Sequence, residues 1–272
     1  MKKFWAILMV TGLIGAFLAS KGEASEPVNV EKLIKDFEKP MVGLLSTGIL
    51  PPAGNLGGLV PIPHFSVGLT APVREIKYEN PVDTKSESLY ASLPVVQARI
   101  GLFDGLEIGP FNGMGAIDLG VRLGYIPKID PIESGSLYGG DIRIGILKDG
   151  LATPSIALSI TYNTLDLKLK DDDWEVNMDV KTTGVKLLVG KDLPILHPYA
   201  AIGYEWYSFE VGYEVNYGDT PLDKYNYKND DDSLFRILAG CDITVFPFVK
   251  LGAEYNLLGD ESIYALSLRA GF

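Results

Sequence analysis

Apolar and polar residues alternate with a period of two over most of the chain after residue 63. Residues 96–102 (VQARIGL), 117–125 (IDLGVRLGY) and 249–257 (VKLGAEYNL) are three of ten such segments, which continue to the last residue. Strict alternation predicts β-strands that have one apolar and one polar face. A soluble sandwich or lipocalin-like barrel also alternates, so the pattern alone leaves the environment of the apolar face open.

Strand lengths and connector lengths favour a membrane wall. The segments run for about 9 to 15 residues, and a transmembrane strand needs roughly 9–11. Short and long connectors alternate, and the two longest, 74–91 and 218–232, fall at the same end. We therefore expect residues 63–272 to form an all-β, transmembrane, antiparallel up-and-down β-barrel of about ten strands, with twelve as the alternative. Residues 106–111 are interpreted as part of a structured turn.

The aromatic residues of the alternating segments sort into two groups under this topology. Membrane barrels carry an aromatic girdle at each interface, and a water-soluble sandwich gives no reason for such sorting. The inner edge receives Phe65, Phe103, Phe246, Phe248 and Phe272, and the outer edge receives Tyr125, Tyr138, Tyr162, Trp174, Tyr255 and Tyr264.

Two segments change the parity of their apolar positions. In residues 176–189 the change predicts a β-bulge near Thr183 or Gly184. In residues 199–217 the change falls at the adjacent Trp206 and Tyr207.

The first 24 residues are typical of a secretory signal peptide. Lys2 and Lys3 precede the uncharged apolar run 4–19, and Gly22 and Ala24 place small side chains before a cleavage point after Ala24. We expect export through the Sec pathway and residence in the bacterial outer membrane.

Residues 25–62 form a separate N-terminal segment. Apolar residues at i, i+3, i+4 and i+7 spacing predict an amphipathic helix over 29–45, which Pro40 should kink or end. A Gly- and Pro-rich stretch follows it. The helix could plug the periplasmic mouth of the barrel or remain a mobile periplasmic extension.

Composition excludes several classes of function. The formal net charge of −11 argues against nucleic-acid binding, which needs a basic surface. Cys241 is the only cysteine, so an internal disulfide is impossible.

Charged residues of both signs fall on the polar face of the strands, which a membrane barrel turns toward its lumen. They can form a salt-bridge and hydrogen-bond network that holds the wall, or line a polar conduit for ions or small solutes. The predicted lumen-lining residues are Arg99, Asp118, Arg122, Asp141, Arg143, Glu205, Arg236, Asp242, Lys250, Glu254 and Arg269.

Catalytic and metal-binding patterns are weak. His64 and His197 are the only histidines, and neither has a nearby Ser and acidic partner in sequence. The acidic runs 171–173 and 230–232 lack the glycine and closing Glu of an EF-hand, so solvated loop charge is the simpler interpretation. We expect no enzyme activity, no metal and no cofactor.

The last nine residues, Tyr264 to Phe272 (YALSLRAGF), resemble the closing strand of Gram-negative outer-membrane barrels. That resemblance implies that Phe272 is an assembly signal, and that the partners are the barrel assembly machinery, outer-membrane lipid and lipopolysaccharide. The mature chain also resembles uncharacterised outer-membrane barrels that open with a short helix and a Gly-rich segment, distantly similar to fatty-acid-transporter barrels.

The expected function is passive passage or binding of small or hydrophobic molecules across the outer membrane. The alternative is a structural envelope barrel without transport, held by its lumenal salt bridges.

Overall fold

A computed structural model describes residues 30–48, 56, 64–79, 85–108, 111–126, 128, 132–171, 174–217 and 220–271. The signal peptide, its cleavage point after Ala24 and Phe272 lie outside these residues and remain predictions. Helix α1 spans Val30–Ser46. The strands are β1 Phe65–Glu79, β2 Ser86–Ser92, β3 Val95–Phe103, β4 Leu106–Ile108, β5 Phe111–Met114, β6 Ile117–Ile126, β7 Ile132–Leu147, β8 Ser155–Asp171, β9 Trp174–Gly190, β10 Leu196–Tyr217, β11 Thr220–Phe246, β12 Val249–Leu258 and β13 Glu261–Gly271.

Antiparallel pairing closes the sheet into a barrel of ten wall strands. The last strand, β13, pairs with β1 from Ser66↔Gly271 to Val73↔Tyr264. Strands β2 and β3 both pair with β1, at different heights, and together make one wall strand. Strands β4 and β5 form a small hairpin outside the wall, which agrees with a structured turn over 106–111. The prediction of an up-and-down barrel of about ten strands is confirmed.

The outer face of the wall is apolar and the inner face is polar at the same height. On β10 the outward residues from Leu196 to Trp206 are almost all apolar. Eleven residues at ~3.3 Å each, tilted by ~40°, span close to the ~25 Å of a membrane barrel's apolar band. Exposed Phe65, Phe103 and Phe246 lie at one end of the wall, and the exposed tyrosines of the second girdle lie toward the other.

The two ends of the barrel differ. At the terminal end, where β1 begins and β13 finishes, the strands stop close to the exposed Phe65, Phe103 and Phe246. At the opposite hairpin end, β10 and β11 continue as a tall two-stranded ribbon to Tyr217↔Thr220. Outer-membrane barrels extend farther from the membrane on the extracellular side than on the periplasmic side, so the tall hairpin end is typical of the outside.

The connectors predicted over 74–91 and 218–232 are mostly strand, so the prediction of long loops there was wrong. Strand β1 continues to Glu79, β2 begins at Ser86, and β11 already begins at Thr220. Above the membrane both faces of a ribbon can be polar. The alternation is therefore lost although the backbone pairing continues.

The bulge predicted near Thr183 or Gly184 is absent. Strand β9 pairs without a register shift with β8 and β10 through this region. Its even-numbered residues point inward throughout. Between Thr183 and the terminal end the apolar residues of β9 face outward, and between Thr183 and the hairpin end they face inward. The parity change therefore marks the height at which the strand leaves the membrane and the lumen becomes apolar.

Helix α1 lies inside the barrel, in the half nearer the hairpin end. Ile34, Phe37 and Leu45 join a cluster of 24 buried apolar residues. The wall members of this cluster include Ile76, Leu165, Val180, Phe209 and Ile263. The predicted position at the periplasmic mouth was wrong, because the apolar inner surface that accepts the helix lies in the hairpin half.

Pro40 does not end the helix, which continues to Ser46. Within the described residues, no helix is long and apolar enough to span a bilayer.

Candidate functional site

The structure places all eleven predicted lumenal residues at inward-facing positions of the wall. Asp141 and Lys250 are partly exposed, and the other nine are buried. Two ion pairs cross between strands in the terminal half: Arg99 binds Asp141, and Arg269 binds Asp242. Asp118 accepts a hydrogen bond from the backbone N–H of Leu56 at 3.0 Å. The polar network therefore also holds the chain that crosses the lumen.

Three cations at mid-height meet the C-terminal end of α1, and we call these contacts the C-terminal latch. Arg122 Nη2 donates to the Thr47 carbonyl at 2.6 Å, and Lys186 Nζ donates to the Ser46 carbonyl at 3.4 Å. Arg236 donates to the hydroxyls of Ser46 and Thr47. Cations are favoured here because the unpaired carbonyls give a helix C-terminus a partial negative charge.

The hydroxyls of the C-terminal latch also satisfy the helix itself. Ser46 Oγ donates to the Val42 carbonyl at 2.8 Å, and Thr47 Oγ1 donates to the Gly43 carbonyl at 2.6 Å. Gly48 follows with φ +92°, and its N–H donates to Glu254 Oε1 at 3.2 Å. A left-handed glycine is the common end of a helix, and a Cβ here would also approach Thr70 Cγ2 to 2.6 Å.

Buried Glu205 is the counter-charge of the C-terminal latch. Its Oε2 lies 3.5 Å from both Lys186 Nζ and Arg236 Nε. Glu254 accepts from the Tyr199 hydroxyl at 3.0 Å and from Asn256 at 2.7 Å. Charges that are costly to bury are thus compensated within the lumen.

Glu38 forms a second latch nearer the other end of α1. This carboxylate is 5% exposed and accepts hydrogen bonds from Tyr227 at 2.7 Å and Asn229 at 2.5 Å. The Tyr207 hydroxyl lies 2.8 Å from Glu38 and 2.9 Å from Asp232, and its single proton can serve one of them at a time. Two carboxylates therefore share neutral donors rather than a cation.

An outer cavity of about 980 Å³ opens at the hairpin end, between α1 and the wall. Its lining includes six carboxylates and four cationic side chains, together with four tyrosines. Arg74 pairs with Glu261, and Lys39 Nζ lies 3.5 Å from Asp260. These pairs use two carboxylates and two cations, and the remaining lining has four carboxylates and two lysines, so the cavity has a negative balance.

The outer cavity lies where the rim of the wall is lowest. The β12–β13 hairpin is low, and its topmost pair is Leu258↔Glu261. Strand β1 continues above its last β13 partner at Val73, and β11 continues above its last β12 partner at Arg236. The cavity lies above this low hairpin, between two taller parts of the wall.

His197 has partners on both ring nitrogens. Nδ1 lies 2.8 Å from Asp192 Oδ1, and Nε2 lies 2.7 Å from Thr244 Oγ1. Sequence reasoning found no acid and hydroxyl pair for this histidine, because Thr244 is 47 residues away along the chain. The trio ties the β9–β10 turn to β11.

Asp230 and Asp232, from the second acidic run, bind neighbouring side chains. Asp230 lies 2.6 Å from Lys228 Nζ and accepts from Ser208 Oγ at 2.7 Å, and these contacts hold the pKa of Asp230 below its usual range. Within the described residues, no three His, Cys, Asp or Glu side chains converge as metal ligands would.

Three important residues were missed from the sequence. Lys186 alternates with Val185 and Leu187 and could have been found from parity. Arg74 fell in a predicted loop. Glu38 gave no signal, because a charge on the polar face of an amphipathic helix is normally solvated.

A closed antiparallel barrel with an apolar outer band and a charged lumen is the architecture of outer-membrane barrels. A model of a family of unknown function, DUF6588, matches residues 78–272. The chain belongs to DUF6588. The matched residues cover nearly all of the wall but exclude α1.

Solved structures similar to this chain include the outer-membrane protease OmpT of Escherichia coli. It is 10% identical, with a TM-score of 0.45 over 77% of this chain and 96% of that chain. The translocator domain of the autotransporter NalP from Neisseria meningitidis is 10% identical, with a TM-score of 0.38 over 96% and 99%. Omp33 of Acinetobacter baumannii is 10% identical, with a TM-score of 0.33 over 77% and 98%. No curated protein matches the chain.

Proposed function

We propose that the protein is an exported, non-catalytic outer-membrane barrel that binds small organic cations in its outer cavity. Passage across the membrane is closed as long as α1 occupies the lumen. The wall turns its apolar band outward, and the proposed signal peptide supplies Sec export.

The observation that carries the binding proposal is the negative balance of the outer cavity. Glu38 and Asp232 are held by neutral hydroxyl and amide donors, and the ion pairs of Arg74 and Lys39 use other carboxylates. Tyr90 and Tyr264 add aromatic faces to the lining. Carboxylates beside aromatic rings suit an alkylammonium, which gains from both.

The packing of α1 supports closure rather than free diffusion. Six of its apolar side chains are buried in the lumenal cluster: Ile34, Phe37, Met41, Val42, Leu44 and Leu45. At ~1.5–3 kcal/mol for each, full exposure of the helix would cost on the order of 10 kcal/mol or more. Spontaneous ejection of the helix is therefore too rare to make a steady pore.

A thermal shift measured with spermidine tests the binding proposal. Spermidine should raise the unfolding temperature of the barrel in detergent, and an equal concentration of a neutral polyol should not, because ligands that bind only the folded state stabilise it. Asp232→Asn should lower the affinity for spermidine about tenfold or more, and so reduce the shift at a given concentration. Asp230→Asn is the matched control, since Asp230 already pairs with Lys228. Equal shifts in all three proteins, or no shift in wild type, would contradict the proposal.

A structural envelope role without a ligand is the second candidate. The 24-residue apolar cluster favours it, because it makes α1 an integral part of a solid core. Absence of spermidine binding, together with absence of conductance in a planar bilayer, would favour this candidate.

A further inference from the structure

Helix α1 has a fixed direction within the barrel. In the first part of the helix, Lys35 and Asp36 line the outer cavity. Glu38, which follows them, binds Tyr227 and Asn229 of the tall ribbon. Its last residue, Ser46, meets the mid-lumen cations. The Val30 end of the helix therefore lies nearest the hairpin end of the barrel.

The chain beyond α1 continues in the same direction. The backbone N–H of Leu56 binds Asp118, whose partner on β3 is Gly101, close to the terminal end of that strand. His64 then accepts a hydrogen bond from the Gly101 N–H at 3.0 Å, and β1 begins at Phe65. Four successive positions, Glu38, Ser46, Leu56 and His64, thus descend from the hairpin end to the terminal end.

Among the described residues, the wall packs against α1 from several sides. A helix with its side chains is about 10–12 Å across, and the interior of a small barrel is largely filled by its own side chains. Buried residues surround α1 from β1, β8, β9, β10 and β13. The helix therefore fills much of the lumen in the hairpin half of the barrel.

We infer that α1 enters the barrel from the outer face of the membrane, with its Val30 end turned toward the cell surface. The hairpin end is the extracellular end, because β10 and β11 extend far beyond the apolar band there, whereas the strands stop at the exposed phenylalanines of the terminal end. Assembly must then carry residues 30–48 up through the forming barrel after the signal peptide is removed in the periplasm.

The inference is independent of the proposed ligand and has its own test. Single cysteines are introduced into the full chain with Cys241→Ser, and intact cells are labelled with a membrane-impermeant maleimide. Asn29→Cys reports the N-terminal end. Gly218→Cys, between β10 and β11, reports the outer face, and Leu151→Cys, fully exposed in the β7–β8 turn, reports the periplasmic face.

We expect Asn29→Cys and Gly218→Cys to label to a similar extent in intact cells, and Leu151→Cys only after permeabilisation. Labelling of Asn29→Cys only after permeabilisation, with Gly218→Cys labelled in intact cells, would overturn the inference. Labelling of Leu151→Cys instead of Gly218→Cys in intact cells would also overturn it, because the barrel would then be inverted.

Discussion

At the scale of single residues, Glu38 connects α1 to the tall ribbon. Its carboxylate binds β10 and β11 through Tyr207, Tyr227 and Asn229. Glu38→Ala leaves the partly buried Tyr227 and Asn229 without this acceptor, while Tyr207 keeps Asp232. The usual cost is ~2 kcal/mol or more, equal to roughly 30-fold in an opening equilibrium.

Hydrogen exchange measured by mass spectrometry checks this prediction. Amides of residues 30–39 should exchange about 30-fold faster in Glu38→Ala, and those of the wall strands should not change. Glu31→Ala is the control, since Glu31 pairs only with exposed Lys35 among the contacts of its carboxylate that the structure records. Similar exchange in the two variants would show that the Glu38 contacts do not hold the helix.

At the scale of elements, the tall ribbon is coupled to α1 by a titratable group. Burial, followed by the hydrogen bond to Glu38, raises the pKa of Tyr227 above the usual value near 10. Because the folded state binds this proton more tightly, its contribution to stability is complete below pH 10 and decreases as the pH rises through the folded pKa.

The unfolding temperature of the wild type should therefore fall above about pH 10, and more steeply than that of Tyr227→Phe. Tyr138→Phe is the control, since Tyr138 is an exposed girdle residue. Parallel curves for wild type and Tyr227→Phe would exclude this contribution.

The alternation along single strands was enough to predict the wall, because a membrane outside and charges inside impose it on every strand. It was not enough above the membrane, where Val176, Met178 and Val180 turn inward toward α1. The same change in apolar face was interpreted as a bulge. Pattern alone cannot separate a shift in backbone register from a change in what surrounds the strand.

The latches could be predicted only in part. Arg122 and Arg236 were expected in the lumen, but their partners on α1 depend on how deep the helix lies. Ser46 and Thr47 look like ordinary residues at the end of a helix. Their contacts arise from a match between the helix end and cations on three different strands.

At the scale of the whole molecule, the account requires that α1 fills the half of the lumen nearer the hairpin end. Gly43 packs closely against the wall, where a Cβ would lie 3.3 Å from Ile263 Cγ1, the atom next to Ile263 Cβ. Disulfide formation requires Cβ atoms about 3.5–4.5 Å apart, so cysteines at these two positions report the depth of the helix.

The most direct measurement is disulfide formation in folded protein with Cys241→Ser, followed as a change in gel mobility on reduction. The pair Gly43→Cys and Ile263→Cys should cross-link on mild oxidation. The pair Gly43→Cys and Ser66→Cys, with Ser66 inside the terminal end, should not. Cross-linking of the second pair, or of neither pair, would contradict a helix held in the half of the barrel nearer the hairpin end.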